Sequence, residues 1–239
     1  MKDYAIKGRL AVATPQANPT VEAEVRRILP SDIDYCTLRL VCESGDPKTR
    51  LIEYLSKLPK TIKHQLSGLP VDALLYGCTA SSYLIDEKTE NDLLREASAA
   101  LGGAKVINAA RAIKDYFVLN KIKKIGILTP YPDWLQAHAE KYWAEQGIEV
   151  VDTERVDIGS EDTYKIYSLS SSDARPGLLS LLESDCDAIL ISGTGMPSLR
   201  LISEFSQQEK KIISSNYAMT VIGLSYLGLN PKDQNEWFS

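Results

Sequence analysis

The sequence predicts an α/β protein built from two pseudosymmetric Rossmann-like lobes. Each is a mostly parallel sheet flanked by helices, with the functional site between the lobes. Three observations lead there. Short apolar runs alternate with longer helical patterns along the chain, the rhythm of strand-helix-strand units. The apolar runs lack clean two-residue alternation, as strands covered on both faces do. One pattern also recurs at an offset of 115 residues: Val71 to Thr79 (VDALLYGCT) matches Cys186 to Thr194 (CDAILISGT), and Leu10 to Pro15 (LAVATP) matches Ile125 to Pro130 (IGILTP). The expected division is 1–118, 119–225 and a tail, 226–239, with packing of the tail on the first lobe left open.

In order, Leu10 to Ala13 reads as a strand and Thr20 to Ile28 as a helix. Asn18 or Thr20 can cap that helix, and Pro19 is tolerated at its start. Tyr35 to Cys42 reads as a strand with Cys36, Leu38, Leu40 and Cys42 on one face. Lys48 to Leu66 is helical with a break at Pro59. Ala73 to Tyr76 is a short buried strand, with Cys78 just beyond it. Asp86 to Leu101 is a helix, Val106 to Asn108 a strand and Ala109 to Leu119 a helix. The second half repeats the order. Ile125 to Leu128 is a strand, Trp134 to Gln146 a helix closed by Gly147, and Glu149 to Asp157 a strand. Gly177 to Leu182 is helical, Ala188 to Ile191 a strand, Leu199 to Gln208 helical, Lys211 to Ser214 a strand, and Ala218 to Leu227 helical. Between them, 158–176 is polar and aperiodic, with Tyr164 and Tyr167. It reads as a surface loop, with a flap as the alternative.

Composition narrows the function. The chain has 239 residues and a net charge of -5, which speaks against a nucleic-acid partner. The four cysteines, Cys36, Cys42, Cys78 and Cys186, are too sparse for a disulfide scaffold and read as reduced thiols. With no CxxC spacing and only two histidines, a zinc site of the usual kind is not expected. The first residues lack the apolar core of a secretory leader, and no apolar run approaches the roughly 20 residues of a membrane span. A cytoplasmic protein acting on a small molecule is therefore expected, with no membrane partner and homo-oligomerisation left open.

In parallel sheets, ligands bind beyond the strand C-termini. That rule selects the segments at Thr14-Pro15, Cys78-Thr79, Thr129 to Tyr131 and Gly193-Thr194 as site loops. Cys78 is the sharpest candidate. A thiol at a strand end, followed by a helix, can receive backbone N–H bonds that lower its pKa, and it can then add to carbon or exchange protons with it. A buried structural cysteine is the competing reading. Cys186, Cys36 and Cys42 read as packing residues. The Gly77-Cys78-Thr79 and Gly193-Thr194-Gly195 turns offer amides and hydroxyls to a carboxylate or an enediolate oxygen, and Pro15 and Ala80 join the candidate lining. Asn18 reads as a carboxylate ligand or a helix cap. Tyr131 reads as an oxyanion donor or a packed loop tyrosine. Asn216, after the last strand, is a further lining candidate. His64 and His138 both fall in surface helices, so no Ser-His-Asp hydrolase is indicated.

Four segments carry a resemblance: TPQANPTVEAE at Thr14 to Glu24, LLYGCTASSYL at Leu74 to Leu84, ILTPYPDW at Ile127 to Trp134 and ISGTGMPSL at Ile191 to Leu199. Across nearly its full length the chain resembles the aspartate/glutamate racemase superfamily, in its maleate cis-trans isomerase and arylmalonate decarboxylase branch. The resemblance implies a two-lobed enzyme without cofactor or metal. Racemases and maleate isomerases of the family use two cysteines; the first matches Cys78 and the second matches Gly193. Arylmalonate decarboxylases keep one cysteine, at the position of Gly193, so this chain resembles their mirror image. Asn18 matches the carboxylate-gripping asparagine of the isomerases, while Thr79 and Tyr131 match oxyanion-binding residues. The expected activity is isomerisation or decarboxylation of a small carboxylate or dicarboxylate, through an enediolate or a thioether. A non-catalytic carboxylate-binding protein and a one-cysteine racemase are the alternatives.

Overall fold

Strands form where the sequence runs apolar without interruption. The computed structural model of the protein describes residues 3–238. In the first lobe, β1 (Gly8–Pro15), β2 (Ile33–Leu40), β3 (Ala73–Tyr76) and β4 (Lys105–Asn108) form an all-parallel sheet in the order β2-β1-β3-β4. Strand β3 is buried at every residue, as a central strand of a doubly covered sheet must be. Helix α1 (Thr20–Ile28) is preceded by Pro19, and Asn18 Oδ1 accepts the free N–H groups of Thr20 and Val21 at 2.9 and 3.4 Å. The helical stretch expected over 48–66 divides at Lys57 into α2 (Pro47–Ser56) and α3 (Leu58–Gln65). Pro59, with no N–H to give, fits only the first turn of a new helix. After β3 comes a five-residue helix, α4 (Thr79–Tyr83), then α5 (Glu87–Ala100), whose first turn is capped by Asp86 accepting from Thr89 N at 2.9 Å. Helix α6 (Ala109–Asn120) follows β4.

The second lobe holds β5 (Lys124–Thr129), α7 (Asp133–Glu145), β6 (Glu149–Arg155), α8 (Ser171–Leu182), β7 (Ala188–Ile191), α9 (Leu199–Glu204) and β8 (Lys211–Ser214). Its parallel sheet has the order β6-β5-β7-β8, the topology of the first sheet. The 115-residue repeat holds at atomic detail. Leu10 pairs with Ala73 as Ile125 pairs with Ala188. Asp72 accepts from Arg9 N at 2.7 Å, and Asp187 accepts from Lys124 N at 2.9 Å. Gly77 N donates to Ala13 O and Ser192 N to Leu128 O, both at 2.8 Å.

Several boundaries differ from the sequence reading. Helix α8 starts at Ser171 rather than Gly177, because Ser170 and Asp173 form a reciprocal capping box ahead of Pro176. The stretch before it contains a 3-10 turn over Thr163–Ser168. Strand β2 ends at Leu40, so buried Cys42 lies beyond it, and Cys36 is only half-buried. The last helix, α10 (Ser215–Tyr226), leaves β8 and packs on α6, β3 and α1 of the first lobe. Gly223 permits this approach: a Cβ there would sit 2.5 Å from Leu75 Cδ2. The tail continues over the same lobe, with Lys232 N donating to Ile28 O at 2.8 Å and Trp237 buried against Tyr217. Residues 1, 2 and 239, at the outer edges of the expected division, lie outside the described residues.

Candidate active site

The C-terminal ends of both sheets face each other, and the loops beyond them enclose one cavity. Its walls are Pro15, Asn18, Leu51, Cys78, Thr79 and Ala80 from the first lobe, and Tyr131, Leu135, Thr163, Ile166, Tyr167, Gly193, Thr194 and Gly195 from the second. Cys78 Sγ is therefore placed between the halves of the molecule. The residue is 3% exposed, yet it borders this cavity rather than closed apolar packing. Cys36, Cys42, Cys186, His64 and His138 do not line it.

Cys78 has extended backbone (φ -148°, ψ 95°) at the N-cap of α4. Burial pushes the thiol above its ordinary pKa. Donation from the Ser81 side chain, the backbone N–H groups of Ser81 and Ala80, and Tyr76 pulls the other way and does not prevail. The sequence expectation of a lowered pKa is thus corrected: α4 has only five residues, and desolvation of the sulfur outweighs its amides. The raised pKa favours the neutral thiol at neutral pH.

Opposite and beside the sulfur lie hydroxyls and amides, and no cation is among the lining residues. Thr79 Oγ1 and Tyr131 Oη are 2.9 Å apart. The two hydroxyls carry two protons and spend one on each other, leaving one to offer an oxyanion. The Tyr131 ring is held edge-on against Tyr83, with centroids 6.2 Å apart. Asn18 caps α1 with Oδ1, and its Nδ2 points across the cleft to Thr194 Oγ1 at 3.3 Å. Thr194 Oγ1 in turn donates to Gly77 O at 2.9 Å, and Thr20 Oγ1 donates to Gly195 O at 2.8 Å, so the two strand-end loops are stitched together. Gly193 has φ +102°, and a Cβ there would meet Pro130 Cδ at 3.3 Å and Tyr131 Cε1 at 3.4 Å. At this φ any side chain would be strained.

Asn216 stands behind the cavity wall instead of lining it. Its Nδ2 donates to Thr194 O at 3.0 Å and to Glu24 Oε2 at 2.8 Å. Glu24, a buried carboxyl of α1, also accepts from Ser198 N, Ser198 Oγ and Leu199 N at the start of α9. Burial raises its pKa against these donors. Sequence reading did not single out Glu24 because a glutamate in a helix ordinarily faces water.

The cavity's roof was also not legible as such. Thr163, Ile166 and Tyr167 belong to the polar stretch read mainly as a surface loop. The stretch reaches from the second lobe to the first: Arg50 Nη2 pairs with Asp162 Oδ1, the Arg50 guanidinium lies 3.7 Å from the Tyr164 ring centroid, and Gln16 Nε2 donates to Tyr164 Oη at 3.0 Å. Gly195 lets the Tyr167 ring lie on the loop, since a Cβ there would meet Tyr167 Cε1 at 2.7 Å. The cavity is narrow, about 30 Å³, and partly open to solvent.

The comparisons with known proteins agree with this geometry. A maleate isomerase of Geobacillus stearothermophilus is 25% identical over 217 residues, covering 84% of this chain and 83% of that enzyme. The maleate isomerase Iso of Pseudomonas putida S16 superposes with a TM-score of 0.79 at 23% identity over 93% of each chain. Arylmalonate decarboxylase superposes with a TM-score of 0.75 at 16% identity over 96% of each. The chain has the fold of maleate isomerases and arylmalonate decarboxylase. Also of that fold is a Nocardia farcinica maleate cis-trans isomerase variant with one cysteine replaced by serine. It holds a covalently bound succinylcysteine intermediate and superposes with a TM-score of 0.75 at 18% identity over 93% of each chain. No protein-family model matches the chain. Among the described residues, no helix is long and apolar enough to cross a membrane, and no cluster of His, Cys, Asp or Glu is suited to a metal ion.

Proposed function

We propose that the chain is a cofactor-independent isomerase or decarboxylase of small carboxylic or dicarboxylic acids, working through the single thiol of Cys78. The observation that carries this reading is the placement of Cys78 in a narrow interlobe cavity whose other polar groups are uncharged. The amide of Asn18 and the hydroxyls of Thr79 and Tyr131 receive the carboxylate and hold the charge that develops on it, while Ala80, Gly193 and Thr194, whose own donors go to Cys78, Ser215 and Gly77, shape the wall. In decarboxylation, the bond to the departing carboxylate breaks and its electron pair passes into an enediolate. The S–H of Cys78 then protonates that carbon from one face, and the thiolate regains a proton from solvent. A thiol that rests protonated suits this step. In isomerisation, Cys78 first gives its proton to solvent, the thiolate adds to the double bond as the π pair passes into the adjacent carboxylate, the adduct rotates about the former double bond, and the pair returns to expel the thiolate. The succinylcysteine of the Nocardia variant is a precedent in this fold for an adduct formed after loss of one cysteine. Two-base racemisation is disfavoured, because Gly193 supplies no second thiol.

The test is a turnover panel of maleate, substituted malonates, aspartate and glutamate, run on the parent and on Cys78→Ala. Activity on maleate or a malonate, lost by about 10³-fold or more in the variant, supports the proposal. An activity that Cys78→Ala leaves intact removes the mechanism. Binding of these acids with no turnover moves the assignment to a carboxylate-binding protein, a reading that draws on the raised thiol pKa.

A further inference from the structure

The proton count around Ser81 carries one inference more. Ser81 Oγ has three polar neighbours in the buried wall behind Cys78: Tyr76 Oη at 2.8 Å, Leu51 O at 2.6 Å and Cys78 Sγ at 3.2 Å. A hydroxyl has one proton to give and can accept two. Leu51 O only accepts, and Tyr76 donates to Ser81. With Cys78 neutral, every contact is satisfied if Ser81 gives its proton to Leu51 O and takes the S–H on a lone pair. With Cys78 ionised, the sulfur has nothing to give, and the Ser81 proton must turn toward it. Leu51 O tolerates the loss, because inside α2 it keeps the i+4 amide of its own helix.

We propose that Ser81 is a positioning residue that turns its one proton between Leu51 O and Cys78 Sγ as Cys78 loses and regains its own, with Tyr76 fixing the Ser81 oxygen. This rests on the reading of Cys78 given above for its catalytic meaning, but not for its test. The titratable groups that face the sulfur are all tyrosines: Tyr54 from α2, Tyr76 from β3, Tyr83 from α4, Tyr131 from the β5–α7 loop and Tyr167 from the roof. Burial holds each of them neutral through the range in which a thiol ionises. Tyr76 also reaches the sulfur, but turning its proton there leaves Ser81 Oγ without its donor, whereas the Ser81 hydroxyl can follow the charge at no cost to a second buried group.

The experiment is the pH profile of Cys78 alkylation by iodoacetamide, resolved by peptide mass in the full-length chain. Ser81→Ala moves the midpoint up by about one pH unit, so that labelling near pH 8 is about tenfold slower, while Tyr76→Phe moves it by part of that amount and Ser81→Thr restores it. An unchanged midpoint in a folded Ser81→Ala protein overturns the proposal. If that variant does not fold, Tyr76→Phe, which keeps the ring volume, decides: a midpoint equal to the parent's overturns it. Because the readout is the thiol and not turnover, this inference can fail while the catalytic assignment of Cys78 stands, and the reverse.

Discussion

Replacing Asp162 by alanine is expected to expose the sulfur of Cys78, which is buried far from Asp162 in sequence. Asp162 sits on the roof and pairs with Arg50, whose side chain is 2% exposed against 42% for Asp162. A charge-assisted hydrogen bond is worth about 1.5–3 kcal/mol, and the exposure of Asp162 discounts this to about 1–2 kcal/mol. The cation-π contact of Arg50 with Tyr164 and the Gln16 hydrogen bond survive the substitution, so the roof loosens without coming off. If reagent reaches Cys78 only through the lifted state, 1–2 kcal/mol raises the rate about 5- to 30-fold. The assay is pseudo-first-order alkylation of Cys78 by iodoacetamide at one pH, followed by peptide mass. A 5- to 30-fold acceleration with an unmoved pH midpoint is the expected result. An unchanged rate refutes the gating argument, and a shifted midpoint shows that the substitution altered the thiol instead of the roof.

Three further outcomes follow from the site. Tyr131→Phe removes the hydroxyl that shares a proton with Thr79 and is expected to lower kcat by about 10²–10³-fold, measured by initial rates on whichever acid turns over. Gly193→Cys does not create a two-thiol racemase: at φ +102° the new side chain costs about 1–3 kcal/mol, visible as a lower denaturation midpoint, and crowds Tyr131, with no racemisation of aspartate or glutamate. Glu24→Ala leaves Ser198 N, Leu199 N and Asn216 Nδ2 without their buried acceptor and is expected to cost about 3–5 kcal/mol in urea unfolding.

The two-sheet architecture was legible because its signals are local. Ala73–Tyr76 and Ala188–Ile191 are short apolar runs bounded by turn residues, and the repeat that joins them shows in the bare sequence. The strand-end rule selected Pro15, Cys78, Thr79, Tyr131, Gly193 and Thr194, and the structure places them on one cavity with Asn18 and Ala80. What escaped was long-range. Leu51, Leu135 and Ile166 read only as helix or loop apolar residues until the lobes fold over them. The roof was hidden because Arg50 and Asp162 meet across 112 residues. Asn216 was assigned to the cavity by its place after a strand, but the acceptor that holds its amide, Glu24, lies 192 residues away. The pKa of Cys78 was misjudged because sequence shows the amides that follow a strand and not the depth at which they sit.

The measurement that bears most directly on the central claim is ligand protection of Cys78. Alkylation of Cys78 and of half-buried Cys36 is followed in one sample while maleate or a substituted malonate is titrated in. Saturable slowing at Cys78, with Cys36 unaffected, is the result expected if a bound acid lies against the sulfur. Equal labelling of Cys78 at every acid concentration contradicts the account.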